Sequence, residues 1–282
     1  MQRTGIDWQN VARAAEQAEA NGGSIGVAAI GPDGASWNRQ GDRHFRAAST
    51  VKIPIMVEIY RQIDAGERSL TDPYTLTRAD KAPGSGVLLH LHDGIELTLD
   101  DLLHLMISIS DNTATNVLID LAGMERVNAT MRDLGMTASV LCRKMRGKPA
   151  PPGDPENWAT PDDYARAIQA ILGNTAASAA SCGRMVEKLQ RQQNARRIAR
   201  YLPPDDDRVR WGSKTGTVGE VTNDVGFVTT DRGTLILAVF TAALPDTHAA
   251  ELAIGEISRA ALTTCGILPL DPPGASTTTT QS

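Results

Sequence analysis

Near its start, the chain shows first a helical and then a strand-like spacing of apolar residues. Apolar positions three and four apart predict a helix over residues 8–20, with Asp7 as its cap. Two strand-like runs follow at 24–30 and 35–40. Because Gly, Pro and Asp fill positions 31–34 between them, the two runs predict a β-hairpin.

The middle of the chain is dominated by apolar residues at helical spacing. Its clearest boundary is at Thr160 and Pro161, where an N-cap residue precedes a proline in the first helical position. The first helix of this block is apolar on almost every face, which predicts that it is buried. The predicted helices span 50–63, 99–109, 111–121, 124–134, 161–172 and 177–189.

Strand-like runs return near the end of the chain at 209–217, 221–230 and 234–241, and a helix is predicted from 248 to about 264. A hairpin at the start and a meander at the end predict one antiparallel sheet of five strands. The N- and C-terminal helices would flank this sheet. The fold class is therefore α/β of the α+β kind, with an all-helical lobe inserted between the second and third strands.

The predicted organisation is a single domain over residues 1–268, made of two lobes. An α/β lobe combines 1–48 with 206–268, and a helical lobe covers 49–205. Residues 269–282 contain prolines and a run of threonines, with almost nothing to join a core. We expect this last segment to be a disordered tail.

Composition and charge argue against nucleic acids and membranes as binding partners. The 282 residues are 41% hydrophobic and 22% charged, with a formal net charge of −5, as in ordinary soluble globular proteins. The chain has no basic block, which argues against nucleic acid as a partner. No segment approaches the roughly 20 apolar residues of a membrane span, so no membrane partner is expected. We expect a monomer that is cytoplasmic, or periplasmic or secreted if a leader has been removed.

Residues that commonly bind metals are few and scattered. The cysteines lie far apart at 142, 182 and 265, which indicates neither a disulfide framework nor a cysteine zinc site. The five histidines do not have the spacing of a metalloprotease site. The sequence therefore predicts no metal and no cofactor.

Candidate chemistry comes from three short motifs, the first of which pairs Ser49 with Lys52. Three residues are close to one helical turn, so both side chains share a face. Serine is a good nucleophile only when a base removes its proton, and lysine can do so only when neutral. A helix N-terminus and the second cation, Lys214, are both expected to lower the pKa of Lys52. Ser49 is the predicted nucleophile and Lys52 its base, although a capping serine with a solvated lysine would look the same.

The second motif is Ser110-Asp111-Asn112. Ser110 is predicted to relay a proton to the leaving group, and Asn112 to exchange hydrogen bonds with a substrate amide. Asp111 is better suited to cap the helix that follows. A plain N-cap cluster would use the same residue types, and both interpretations can hold together because a tight turn fixes its side chains.

The third motif is Lys214-Thr215-Gly216-Thr217, on a predicted strand. Its glycine lets a substrate backbone approach closely. The backbone N–H groups of Thr217 and Ser49 are predicted to form an oxyanion hole. Lys214 and the hydroxyls of Thr215 and Thr217 predict a corner that binds a carboxylate, although a lysine on an edge strand is also common without any function.

The order and spacing of the three motifs resemble class A β-lactamases and penicillin-binding proteins of the penicillin-recognising SxxK superfamily. The resemblance runs from about residue 24 to about residue 264. It includes a nucleophile helix within 45–72, the SDNTATNVLID segment at 110–120 and the end of an omega loop at 153–161. It implies a serine β-lactamase/transpeptidase-like fold, and an acyl-enzyme formed on Ser49 by a small amide substrate, above all a β-lactam.

One position departs from the family pattern. Alignment with the family places Met145 where class A enzymes carry the glutamate that activates the deacylating water. Because methionine cannot accept a proton, release of the acyl group is expected to be impaired. Glu156 is the nearest carboxylate in the loop and the candidate substitute base. The resemblance also implies that Asn116 bonds the omega loop, while the arginine that many members carry on the next strand is missing from 222–224.

The residues leave alternative functions open. The first is a serine hydrolase of amide bonds, most of all β-lactams, that works through a covalent ester of Ser49. The second is a penicillin-binding or sensor-type protein that is acylated without efficient turnover. The third is a hydrolase or peptidase of an amide or ester that is not a β-lactam.

Overall fold

A computed structural model describes residues 6–20 and 22–270 of the chain. The helices are α1 (Gln9–Glu19), α2 (Lys52–Asp64), α3 (Leu99–Ser108), α4 (Asn112–Ala122), α5 (Met124–Asp133), α6 (Pro161–Leu172), α7 (Ala179–Gln190) and α8 (Thr247–Thr264). The strands are β1 (Ser24–Ile30), β2 (Ser36–Arg39), β3 (Phe45–Arg46), β4 (Pro73–Thr75), β5 (Glu96–Thr98), β6 (Trp158–Ala159), β7 (Arg210–Val218), β8 (Val221–Thr230) and β9 (Gly233–Ala242). Short 3₁₀ segments lie at Ala48–Val51, Arg78–Asp80 and Leu88–His90.

Five strands form one antiparallel sheet in the order β2-β1-β9-β8-β7. Strand β1 pairs with β9 so that Ile25 lies opposite Thr241, and β7 pairs with β8 so that Lys214 lies opposite Val225. Two pairs of short strands, β3 with β6 and β4 with β5, lie outside this sheet. The predicted fold class is confirmed, with the hairpin at the start of the chain and the meander near its end.

The two faces of the sheet bury apolar side chains against different helices. On β9, Leu235 and Leu237 belong to one core, and the intervening Ile236 and Ala238 belong to the other. Helices α1 and α8 pack together on one side, while α6 packs on β1 and β9 from the helical block. Because both faces are covered, β9 is apolar along most of its length rather than alternating with polar residues.

Helix α2 lies at the centre of the helical block. Its residues are apolar on nearly every face, and Ile53, Met56 and Ile59 are fully buried. Helices α3, α4, α5 and α7 contact it. The 3₁₀ turn Ala48–Val51 leads into α2 and packs against β7 and β8. Close packing around α2 therefore fixes a turn that lies between the helical block and the sheet.

The structure differs from the expected boundaries near two helix starts. Helix α2 begins at Lys52, because the residues before it form the separate turn Ala48–Val51. Trp8, rather than Asp7, is the N-cap residue of α1, and it makes no side-chain cap. The Asp7 carboxylate instead accepts a hydrogen bond from Gln9 N at 3.1 Å. Of the predicted tail, residues 271–282 lie outside the described part of the chain.

Within residues 6–20 and 22–270, no helix has both the length and the apolar character needed to cross a lipid bilayer. In the same residues, no three His, Cys, Asp or Glu side chains are grouped so that they could hold a metal ion. The three cysteines carry free thiols.

Candidate active site

Ser49 lies in the 3₁₀ turn before α2, pressed against strand β7. A Cβ atom placed on Gly216 would lie 3.1 Å from Ala47 O, from Ala48 Cβ and from the backbone nitrogen of Ser49. Glycine therefore lets the strand pass this close to the turn. Ala48 has a φ of 48°, an unfavourable conformation for alanine of the kind that clusters at functional sites. The contact brings the backbone of Ser49 beside the end of β7 that contains Thr217.

The Lys52 side chain is completely buried, and its amine lies among oxygen atoms of the second motif. Nζ donates to Ser110 O at 2.7 Å, to Ser110 Oγ at 2.9 Å and to Asn112 Oδ1 at 3.0 Å. Burial lowers the pKa of Lys52 well below its ordinary value, the Lys214 cation lowers it further, and Asp111 opposes both. A neutral amine, which proton transfer from a serine requires, is therefore accessible at a lower pH than for a solvated lysine.

The turn that contains Ser110 is fixed by the residue that follows it. Ser110 has a φ of 60°, and Asp111 caps α4 by accepting a hydrogen bond from Ala114 N at 2.9 Å. The second Asp111 oxygen accepts hydrogen bonds from Val87 N at 2.6 Å and from Leu88 N at 2.9 Å. The capping role of Asp111 is confirmed, and the same turn holds the Ser110 hydroxyl in place.

Lys214 lies on β7 with its side chain fully buried. Its Nζ donates to Thr215 O at 2.7 Å. Burial lowers the pKa of Lys214 to about 7, Asp224 opposes this, and the Arg197 guanidinium adds to it. Burial also raises the pKa of Asp224, which lies opposite Thr215 on β8. Lys214 therefore changes its charge near neutral pH.

Arg197 is a site residue that the sequence did not reveal. It lies between α7 and β7 and is 3% exposed. Nη2 donates to Thr217 Oγ1 at 2.6 Å, and Nη1 donates to Gly216 O at 3.1 Å. Nε donates to Glu251 Oε1 at 3.3 Å on α8. The Arg197 cation thus contacts the third motif although it does not lie on β8, the strand where many family members carry an arginine. In the sequence, Arg197 belongs to the basic run at 196–200, a pattern typical of a solvated surface.

Residues 141–160 occupy the position of the predicted omega loop, and two asparagines hold them in shape. Asn116 on α4 donates to Met145 O at 3.0 Å and accepts from Met145 N at 2.7 Å. Asn157 Oδ1 accepts hydrogen bonds from two successive backbone N–H groups at 2.8 Å and 3.0 Å. The expected structural role of Asn116 is confirmed.

Met145 and Glu156 line the same cavity as Ser49, and both are 8% exposed. Glu156 Oε1 accepts a hydrogen bond from Arg143 Nε at 2.9 Å and lies 2.7 Å from Arg143 Nη2. Its Oε2 accepts from Ala150 N at 3.1 Å. Both oxygens of this carboxylate therefore bond the omega loop to itself. A role for Glu156 as the substitute base stays a prediction.

The three motifs and the omega loop meet at this cavity. Lys52 and Ser110 connect to it through Asn112, while Lys214 and Thr215 belong to the strand that contributes one wall. A serine hydroxyl, a buried amine, a second hydroxyl and convergent N–H groups are the parts that acyl transfer requires. The predicted site residues in the wall itself are Ser49, Asn112, Met145, Glu156 and Thr217.

Comparison with characterised proteins agrees with this geometry. A family model described as the β-lactamase enzyme family matches residues 8–265. A β-lactamase of Rhodobacter capsulatus is 33% identical over 182 residues, which cover 64% of this chain and 61% of that protein. A β-lactamase of Citrobacter koseri is 30% identical over 226 residues, which cover 78% of this chain and 76% of that protein. The chain thus spans about three fifths of the first of these relatives.

Solved structures extend the comparison over nearly the whole chain. The β-lactamase of Sphaerobacter thermophilus is 60% identical with a TM-score of 0.92, covering 94% of this chain and all of that one (100%). PBP-A is 26% identical with a TM-score of 0.81, covering 92% of this chain and 97% of that one. A leucine-to-glutamate variant of PBP-A has been solved as an acyl-enzyme with penicillin G. The motifs, their geometry and these matches together show that the chain belongs to the β-lactamase enzyme family.

Proposed function

We propose that this chain is a serine hydrolase that opens β-lactams through a covalent acyl-enzyme on Ser49. The observation that carries the proposal is the buried Lys52 amine, which bonds to Ser110 and has a strongly lowered pKa. No described carboxylate forms an ion pair with this amine, so its burial as a cation is costly. The amine does provide a base beside a candidate nucleophile.

In the proposed acylation, Ser49 Oγ attacks the lactam carbonyl carbon while its proton passes to the neutral Lys52 Nζ. The backbone N–H groups of Ser49 and Thr217 hold the developing oxyanion, and one such donor is typically worth about 2.7–4 kcal/mol. The carbon–nitrogen bond then breaks. The leaving nitrogen takes a proton from Ser110 Oγ, which lies 2.9 Å from Lys52 Nζ and recovers a proton from it. The products are an ester of Ser49 and a ring-opened amine.

Substrate placement is assigned to the third motif. Lys214, when protonated, and the hydroxyls of Thr215 and Thr217 attract the carboxylate that β-lactams carry next to the lactam nitrogen. Arg197 supports this corner, because it donates a hydrogen bond to Thr217 Oγ1 at 2.6 Å and adds a second positive charge. The proposed substrate therefore has a carboxylate on its leaving-group side.

The second step, hydrolysis of the ester, needs a water and a base. Met145 lines the cavity where family members place a glutamate, and its thioether accepts no proton. Both oxygens of Glu156 already accept hydrogen bonds from the omega loop. We therefore propose that deacylation is slower than acylation. This supports the second candidate function, a penicillin-binding or sensor-type protein that keeps its acyl group.

Intact-mass spectrometry combined with a chromogenic β-lactam tests the proposal. We expect a one-to-one covalent adduct that is absent in Ser49→Ala, and a second-order acylation rate constant lowered about 10²–10⁴-fold in Lys52→Ala. Continued turnover after the first adduct marks a hydrolase, whereas a single stoichiometric burst marks the binding protein. Linear peptides and esters are tested in parallel. Hydrolysis of these compounds in preference to β-lactams would mark the third candidate, a hydrolase or peptidase of other substrates. The absence of both an adduct and turnover with every β-lactam would remove the proposal, provided that circular dichroism shows folded protein.

We also propose that the chain acts as a monomer, because all the residues assigned above lie on one chain. Light scattering during size exclusion, with and without a bound β-lactam, measures the mass in solution. A dimer that dissociates together with loss of acylation would contradict this.

A further inference from the structure

Arg146 in the omega loop lines the cavity beside Ser49 with part of its donor capacity unused. Its Nε and Nη2 atoms are shielded from solvent and donate no hydrogen bond to any described residue. The nearest carboxylate oxygen is Asp154 Oδ2, 3.6 Å from Nη2, which is longer than a hydrogen bond. Buried donors on a charged group are costly to leave unpaired. A turn of the guanidinium towards the cavity would give them an acceptor on an arriving substrate.

Lys148 is a second cation in the same wall. Within the described residues, its ammonium makes no hydrogen bond and no ion pair. Arg143, which also lines the cavity, differs from both, because it bonds Glu156 and the carbonyls of Lys144 and Lys148. Glu156 is thereby neutralised by Arg143. Arg146 keeps one ion pair, to Asp154 at 3.6 Å, whereas Lys148 has none among the described residues, so the omega-loop wall presents a net positive charge to the cavity.

The wall is fixed by Gly147, which lies between these two cations. Gly147 has a φ of 69°, and a Cβ atom there would come within 2.9 Å of Pro83 O and 3.0 Å of Gly84 Cα. The loop therefore packs on residues 83–84, and Gly84 lines the same cavity. Because this contact tolerates no extra atom, the two flanking side chains are presented from a constrained backbone.

The proposed reaction decides which part of a substrate faces this wall. The leaving nitrogen is directed to Ser110, and the carboxylate next to it is directed to Thr215 and Thr217. The acyl half of the substrate must then extend towards the remaining part of the cavity, which includes the stretch 145–148. A group on the acyl side chain is therefore the part that meets the two cations.

We propose that Arg146, supported by Lys148, forms a subsite for a carboxylate on the acyl side chain of the substrate. The preferred substrates are amides with two carboxylates, one on each side of the scissile bond. The inference rests on acylation of Ser49, as proposed above, and adds the substrate class. Arg146 acts here as a specificity-determining residue and takes no part in bond breaking.

Benzylpenicillin and carbenicillin test this inference, because carbenicillin is benzylpenicillin with one added carboxylate on the acyl side chain. The second-order acylation rate constant is measured for both by intact-mass time courses on the full chain. We expect Arg146→Gln to slow carbenicillin about tenfold while benzylpenicillin changes less than about twofold. Arg146→Lys should restore part of the carbenicillin rate, and Asp154→Asn should raise it, because the competing carboxylate is removed.

Arg132→Gln is the matched control, because it removes one positive charge at an exposed position on α5. It should leave the ratio of the two rate constants unchanged. Equal ratios in wild type, Arg146→Gln and Arg146→Lys would overturn the subsite while leaving acylation of Ser49 intact. Absence of both an adduct and hydrolysis with either penicillin would overturn the proposed function and the subsite together. Thermal unfolding of each variant confirms that the ratios refer to folded protein.

Discussion

At the scale of single residues, the charge states of Lys52 and Lys214 govern the chemistry of this site. Both side chains are fully buried, and burial is the main cause that lowers both pKa values. Their proposed roles need opposite charges, because Lys52 must be neutral as a base and Lys214 positive as an anchor. The Lys214 cation lowers the pKa of Lys52, so a positive Lys214 favours the neutral form of the base.

A pH profile follows from these two charge requirements. The acylation rate constant for a β-lactam with a carboxylate should rise as Lys52 is deprotonated and fall above a pH of about 7, where Lys214 loses its charge. Rapid-mixing kinetics between about pH 5 and about pH 9 measure both limbs. Lys214→Arg keeps a positive charge and should lack the alkaline limb. An alkaline limb that is the same in both proteins would assign it to another group.

Met145→Glu should accelerate deacylation more than acylation. The variant places a carboxylate on the cavity wall beside Ser49, and a positioned general base is typically worth about 10²–10⁴-fold. We expect at least about a tenfold faster loss of the acyl adduct, followed by mass spectrometry. Met145→Gln has the same size without a base and is the control. If wild type already turns over quickly and Glu156→Gln stops it, Glu156 is the base instead.

At the scale of secondary-structure elements, the omega loop owes its shape to side-chain amides rather than to its own backbone pairing. Asn116 bonds both backbone groups of Met145, and Asn157 bonds two successive N–H groups near the start of the loop. The loop pairs with itself through the bridge between Val140 and Trp158. It pairs with the chain before α2 through the two-residue strands β6 and β3 and through a hydrogen bond from Ala47 N to Asn157 O at 2.8 Å. The loop is therefore a cooperative unit that depends on few residues.

Asn157→Ala tests this dependence. The substitution leaves buried or half-buried N–H groups without an acceptor, which typically costs about 1–3 kcal/mol in the free energy of unfolding. Urea denaturation measures the loss, and the exposed Asn10→Ala on α1 is the control. We also expect acylation to slow, because the loop forms one wall of the cavity. A loss of stability equal to that of the control would show that the loop is held by other contacts.

The sequence predicted the secondary-structure elements and the motifs well, but it predicted few of the contacts between them. Apolar spacing together with capping and turn residues located helix α6 and strand β8 at their observed bounds. It placed the start of α2 two residues early, because a 3₁₀ turn and an α-helix share nearly the same apolar spacing. Arg197 was out of reach, since its burial depends on strands that pair far from it along the chain. The hydrogen bonds that Glu156 accepts from Arg143 and Ala150 form only when the omega loop folds, so they could not be predicted from the sequence either.

At the scale of the whole molecule, the buried site costs stability in a way that depends on pH. An unfolded chain keeps the Lys214 proton up to a pKa of about 10.5, whereas the folded protein releases it at about 7. Between these values the unfolded state binds more protons, so stability from this group rises as the pH increases. Below about 7 both states are protonated and the full penalty applies.

We therefore expect the free energy of unfolding of wild type to increase between about pH 7 and about pH 9, relative to Lys214→Met. Urea denaturation at several pH values measures the difference between the two proteins. Methionine fills a similar volume without a charge, so the comparison isolates the titration. Parallel curves for the two proteins would mean that Lys214 has the same pKa in the folded and unfolded states.

The sheet order has a consequence for how this chain is made. Strand β1 lies between β2 and β9, yet β9 follows the entire helical block along the chain. During synthesis, the first hairpin therefore leaves the ribosome with one edge unpaired and with Ile25 and Val27 uncovered. It stays so until β9 and α8 have emerged, because their side chains complete that core. The nascent chain thus depends on late-arriving partners, which exposes it to chaperones and to aggregation for most of its translation.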